Sequence, residues 1–265
     1  MDIQQPFFRE AGAGPGVVCV HANASTSGQW RELLEILAPR FRVLAPDSYG
    51  AGKGPAWPAA GHSLRSEVEL LAPLFARAGA PHVLVGHSYG GAVALLAAAL
   101  RPERVRALVL YEPTLFSLVD AQGPPPNGVD GIRDAALRAG AAAAAGDAEA
   151  AARIFIDFWM EDGAFDAMPA GRRPAIAQSV LNVAGWWKAL STDPTPLSAF
   201  AALEMPVLYL TGGRSPESAH AVARVLTPVL KDVRVVHLEE LGHMGPITHP
   251  QVVNPQIERF LDGVA

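Results

Sequence analysis

Residues 83–95, Val-Leu-Val-Gly-His-Ser-Tyr-Gly-Gly-Ala-Val-Ala-Leu, constrain the fold of this chain more than any other stretch. Three apolar strand formers run straight into Gly86-His87-Ser88-Tyr89-Gly90, and small residues fill positions 91–100. The pattern predicts a strand, a tight turn and a helix in immediate succession. So sharp a turn puts the serine in strained backbone angles. It also leaves no room for side chains at Gly86 and Gly90, where strand and helix come closest. The Ser88 hydroxyl is then held out at the end of a sheet, beside a helix N-terminus, where developing negative charge is favoured. With 25 glycines in the chain, a G-x-S-x-G match by itself arises easily, and it is the flanking strand and helix that give this one weight.

The same alternation runs through the rest of the chain. Short apolar strands are expected at 17–21, 41–45, 83–85, 105–111, 207–210 and 233–238. Helices are expected at 30–37, at 63–77 with Ser63 as N-cap, and at 255–261. Strands separated by helices imply an α/β fold with a mostly parallel central sheet, flanking helices and right-handed crossovers. The rhythm stops between 114 and 200, after which it resumes. Helical pieces are expected there at 130–145, 147–161 and 170–189, behind the loop Gly123-Pro124-Pro125-Pro126-Asn127-Gly128. Residues 1–113 and 201–265 therefore form the core, and 114–200 an inserted helical cap. Phe155, Phe158, Trp159, Phe165, Trp186 and Trp187 concentrate in the cap. Some of them hold the cap's own core; Trp159, Trp186 and Trp187 are the candidates to line an apolar pocket over Ser88.

A serine hydroxyl needs a base to become a useful nucleophile. Of the eight histidines, His243 is placed for that role. It lies in Leu241-Gly242-His243-Met244-Gly245-Pro246, a loop leaving the last strand on the carboxyl edge of the sheet, the side where the elbow also emerges. His237 lies inside a strand, His249 approaches the last helix, and His87 is locked in the turn.

With these motifs in place, the chain resembles the α/β-hydrolase fold superfamily, in its serine-nucleophile branch with a helical cap. The likeness spans essentially the whole sequence. Val20-His21-Ala22-Asn23 resembles the family's oxyanion loop, with alanine at 22 where glycine is usual. Asp47-Ser48-Tyr49-Gly50-Ala51-Gly52 resembles its D-x-x-G-x-G turn. The resemblance implies that the backbone N–H groups of Asn23 and Tyr89 form the oxyanion hole and that His21 is a structural anchor. Asn23 also stands where haloalkane dehalogenases bind halide, but that chemistry needs a carboxylate nucleophile, which Ser88 does not supply.

The acid partner departs from the usual pattern. Most members with this pattern carry an aspartate after the strand that here is 207–210, yet this chain reads Thr211-Gly212-Gly213-Arg214-Ser215-Pro216-Glu217. A minority branch carries its acid on the preceding strand, and here that strand ends Tyr111-Glu112-Pro113. Either location works chemically, because the acid need only reach the far ring nitrogen of the base. Glu112 is the first choice, with Glu217, Asp193 or no acid at all as alternatives.

Composition narrows the partners. Net charge is −5, with no basic run, so a nucleic-acid partner is not expected. The single cysteine, Cys19, excludes an intrachain disulfide. No signal peptide or membrane span is read, which places the chain in the cytoplasm. Gly50-Ala51-Gly52-Lys53-Gly54 lacks the Ser/Thr of a phosphate-binding loop, and no metal-ligand spacing appears, so neither metal nor cofactor is expected. The expected activity is serine hydrolysis of a small hydrophobic ester, lactone or related carbonyl compound through an acyl-enzyme. Carbon–carbon bond hydrolysis is included in that class. The alternatives are acyl transfer or perhydrolysis on the same residues, and a non-catalytic ligand receptor on the same scaffold.

Overall fold

The computed structural model describes residues 6–58 and 61–264. Seven strands form one sheet: β1 (Phe8–Ala11), β2 (Gly16–Val20), β3 (Arg42–Pro46), β4 (His82–His87), β5 (Val105–Tyr111), β6 (Val207–Gly212) and β7 (Val233–Leu238). Their spatial order is β1-β3-β2-β4-β5-β6-β7, which puts the elbow strand β4 at the centre. Every neighbouring pair is parallel except β1 with β3. The sequence reading missed this antiparallel strand, Phe-Arg-Glu-Ala. As an edge strand it is only partly buried and mixes charge with apolar residues, so it carries no continuous apolar run.

The central strands are apolar throughout because both faces of the sheet are covered. Val18, Val20, Leu84, Leu108 and Leu110 point into one core, shared with the helices Leu64–Ala78 and Tyr89–Leu100 and with the inserted segment. Val17, Cys19, Val83, Val85, Ala107, Val109 and Tyr111 point into the other, against the helices Arg31–Leu37 and Pro250–Val264. Ser63 caps its helix as expected, its Oγ accepting from the Ser66 N–H at 3.3 Å. The helix after the elbow is buried along Tyr89–Ala98, which explains its run of small and aliphatic residues.

Between β5 and β6 the described residues form no strand. Helices at Asp130–Ala144 and Ala148–Trp159 match the sequence reading closely. The helix expected over 170–189 is instead two, Arg173–Val180 and Val183–Ser191. Inside the second of these, the Trp57 indole occupies the space where a Cβ on Gly185 would go. Short helical turns at Ser117–Asp120, Ala164–Ala167 and Leu197–Ala201 complete the region.

Candidate active site

Ser88 sits at the end of β4 with φ 55° and ψ −119°. A Cβ on Gly86 would strike the backbone of Gly90 and Gly91, and one on Gly90 would strike the carbonyls of Val20 and His21. Both glycines are therefore required by close backbone approach. Ser88 is fixed by its own backbone as well: its N–H donates to Tyr111 O at 2.9 Å, and its carbonyl accepts from the Thr114 N–H at 3.3 Å.

Three side chains meet above this turn. The Ser88 Oγ lies 2.8 Å from His243 Nε2, and His243 Nδ1 lies 2.7 Å from Glu112 Oε2. They come from the carboxyl ends of β4 and β5 and from the loop after β7. Ser88, His243 and Glu112 are 6%, 1% and 0% exposed. The other Glu112 oxygen accepts from Thr211 Oγ1 at 3.0 Å and from the Gly212 N–H at 2.7 Å. Burial alone would raise the pKa of Glu112; the His243 hydrogen bond and charge, with the Gly212 amide, outweigh it and hold the carboxyl below its usual range. Glu112 is a carboxylate here, the form that accepts from Nδ1–H and leaves Nε2 free to take the serine proton. Its backbone φ of 43° is strained for a residue with a side chain.

The alternative acids lie elsewhere. Glu217 opens the helix Glu217–Leu226 and pairs with Arg224 on the surface. Asp193 receives the Thr195 N–H in a local turn.

A second layer of hydrogen bonds ties the loops together. The Ala22 N–H donates to Gln29 Oε1 at 3.1 Å; Gln29 Nε2 donates to His87 Nδ1 at 3.0 Å; His87 Nε2 donates to the His243 carbonyl at 2.8 Å. Burial holds the His87 pKa well below the usual histidine range, so the ring is neutral and relays one donor and one acceptor. Tyr111 Oη donates to the Gly242 carbonyl at 2.8 Å and pins the other side of the histidine loop. His21 anchors the neighbouring loop: Nδ1 donates to Ala22 O at 2.7 Å and Nε2 accepts from the Ser48 N–H at 3.1 Å.

The amides expected to face an oxyanion are available. Neither the Asn23 N–H nor the Tyr89 N–H has a protein acceptor among the described residues. The alanine at 22 strains nothing; the positive φ in this loop falls at Ala24, 54°.

Asn23, Ser88, Trp159, Trp186, Trp187 and Phe155 line a chamber of about 20 Å³, room for about one water. All three tryptophans expected at the pocket border it, whereas Phe165 is fully buried in the cap interior. A second cavity of similar size lies between Ser88, His243, Trp159 and Met244. Among the described residues no group of three or more His, Cys, Asp and Glu is placed to hold a metal ion, and no helix is long and apolar enough to cross a membrane.

Sequence reasoning missed a cluster behind the elbow. Glu67, in the first turns of the helix that Ser63 caps, is fully buried. The Tyr89 hydroxyl donates to Glu67 Oε1 at 3.3 Å and accepts from His62 Nε2 at 2.7 Å. Helical spacing puts Glu67 on the same face as buried Leu64, Leu70 and Leu71, which was the available signal.

A sheet ordered in this way, with a serine elbow at its centre and an inserted helical region, defines a class of protein. The chain belongs to the alpha/beta hydrolase fold family, whose pattern matches residues 15–250. Among characterised relatives it is 38% identical over 127 residues to lipase LipV of Mycobacterium tuberculosis, covering 44% of this chain and 48% of that protein. The chain thus spans about half the length of that relative, and less of several others. A longer match, 26% identical over 96% of this chain and 90% of the other, is to 2-(acetamidomethylene)succinate hydrolase of Mesorhizobium japonicum. An α/β hydrolase from Sphaerobacter thermophilus superposes with a TM-score of 0.72 at 26% identity, covering 96% of this chain and 95% of that one.

Proposed function

We propose that the protein is a serine hydrolase cleaving a small hydrophobic ester, lactone or related carbonyl compound through an acyl-enzyme. The observation that carries this reading is the continuous hydrogen-bonded chain from Ser88 Oγ to His243 Nε2 and from Nδ1 to the Glu112 carboxylate. Ser88 attacks the carbonyl carbon as its proton passes to His243. Glu112 stabilises the imidazolium and fixes the tautomer. The Asn23 and Tyr89 amides receive the developing oxyanion; one such donor contributes on the order of 3 kcal/mol to the transition state. His243 then protonates the leaving group and activates the water that cleaves the acyl-enzyme.

The small aromatic chamber favours a compact apolar acyl group. Relatives that act as a lipase and as a hydrolase of an acetamidomethylene succinate are compatible with the same machinery. A fluorophosphonate probe is expected to label the wild type at Ser88 and to leave Ser88→Ala unlabelled. On p-nitrophenyl esters, kcat/KM should peak at short acyl chains. A folded protein that neither labels nor hydrolyses any ester or lactone would be a binding scaffold instead. Acyl transfer to an alcohol or to peroxide uses the same groups, and product ratios in mixed acceptors identify the acceptor.

A further inference from the structure

The cap reaches the proposed base directly. Trp159, the last residue of the helix Ala148–Trp159, lays its indole over the His243 imidazole, with ring centroids 3.9 Å apart and planes 26° from parallel. Both side chains are buried, at 5% and 1% exposure. Phe158 meets the same indole edge-on at 5.0 Å, and Phe116 lies 6.5 Å away on the core side. The ring of His87, which burial keeps neutral, also lies near the imidazole, with centroids 5.2 Å apart and planes tilted by 50°.

Each edge of the imidazole is thus committed, one nitrogen to Ser88 and the other to Glu112. Only the faces remain to respond when the ring becomes a cation. A neutral His87 offers no charge of either sign. An indole face presents the negative lobe of its quadrupole, and its attraction to a cation is strongest where water is excluded. Trp159 also blocks rotation of the ring out of the plane shared by Ser88 and Glu112.

We infer that Trp159 is a positioning residue for the base, holding the imidazole plane and stabilising the imidazolium, so that docking of the cap completes the reacting centre. The inference rests on the Ser88–His243–Glu112 reading. It goes beyond a pocket wall, because a wall acts on the acyl group whereas this contact acts on every substrate alike.

The test compares Trp159→Leu, Trp159→Phe and Phe158→Leu on p-nitrophenyl acetate, butyrate and hexanoate, with thermal melts to verify folding. Trp159→Leu is expected to lower kcat about 10- to 30-fold, by the same factor for all three esters, with KM within about twofold. Trp159→Phe should recover most of the loss, since it restores a π face. Phe158→Leu, which disturbs the cap beside Trp159 without touching His243, should leave kcat within about threefold of wild type. The inference is overturned if kcat survives in Trp159→Leu, if the loss grows with chain length or resides in KM, if phenylalanine fails to rescue, or if Phe158→Leu costs as much. Should Trp159→Leu not fold, site-specific fluorination of Trp159 keeps the shape and weakens the quadrupole. A stepwise fall in kcat with added fluorine supports the inference, and unchanged kcat overturns it. Absence of fluorophosphonate labelling in the wild type would instead bring down the underlying reading. Labelling with no Trp159 effect removes this inference alone.

Discussion

Two glutamates in this molecule are equally buried and in opposite states. Glu112 and Glu67 are both 0% exposed. Glu112 is held below the usual carboxylate range, while Glu67 is pushed up to about 8 by burial, which the Tyr49 amide and the Tyr89 hydroxyl only partly offset. The difference lies in the donors. Glu112 receives three, at 2.7, 3.0 and 2.7 Å, one of them from His243, the proposed base. Glu67 receives two, at 3.5 and 3.3 Å, and its nearest basic neighbour, His62, is kept neutral by burial, its pKa lowered to about 4. Burial sets the cost of a charge; the number and closeness of donors decide whether the charge survives.

The sharpest way to break this comparison is Glu112→Gln. The amide oxygen still accepts from Gly212, but its NH₂ then faces His243 Nδ1–H, donor against donor. The imidazole responds by taking the other tautomer, with its hydrogen on Nε2, where it no longer accepts the serine proton. Loss of a buried acid from such a constellation lowers kcat by about 10⁴. Steady-state kinetics on a p-nitrophenyl ester is the check. A kcat within about tenfold of wild type would move the acid role away from Glu112.

These two residues also mark how far the chain was readable as a sequence. The elbow was legible because backbone contact alone dictates its glycines: no other residue fits at Gly86 or Gly90, and the flanking strand and helix then mark Ser88. Glu112 was legible by its place at a strand end on the right edge of the sheet, once the strand at 207–210 was seen to lack an aspartate after it. Glu67 was not. Helical periodicity marks a buried face, but a carboxylate on that face looks like surface charge until Tyr89 and His62 are known to meet it, and they come from separate segments. The same limit applies to the cap. Its helices followed from local pattern, but the packing of Trp57 against Gly185 and of Trp159 on His243 joins residues far apart in the chain, and local pattern carries no trace of either contact.

Glu67 gives a smaller effect with a distinct pH signature. A carboxyl whose pKa rises from 4.5 to about 8 on folding keeps its proton longer in the native state. Between those values the native protein binds more protons than the unfolded chain, so stability from this group falls as pH rises through the window and levels off above it. Glu67→Gln removes the ionisation while keeping the shape. Relative to wild type it should be close to neutral near pH 5 and more stable at pH 9, by on the order of a few kcal/mol. Urea unfolding at the two pH values measures this, and a difference independent of pH would mean that Glu67 is ionised at neutrality.

Tyr89 belongs to both clusters and yields the smallest and most discriminating result. Its N–H is a proposed oxyanion donor, while its hydroxyl serves only Glu67 and His62. Tyr89→Phe keeps the first and removes the second. The His62 N–H loses its acceptor at every pH, a cost of about 1–2 kcal/mol. Glu67 loses one of its two donors, which matters only once it ionises, so the destabilisation should deepen as pH rises past about 8. Because the backbone amide is untouched, kcat should stay within a few-fold of wild type. A fall of a hundredfold with normal folding would show that the two buried carboxyl sites are coupled through Tyr89, and that Glu67 contributes to the chemistry.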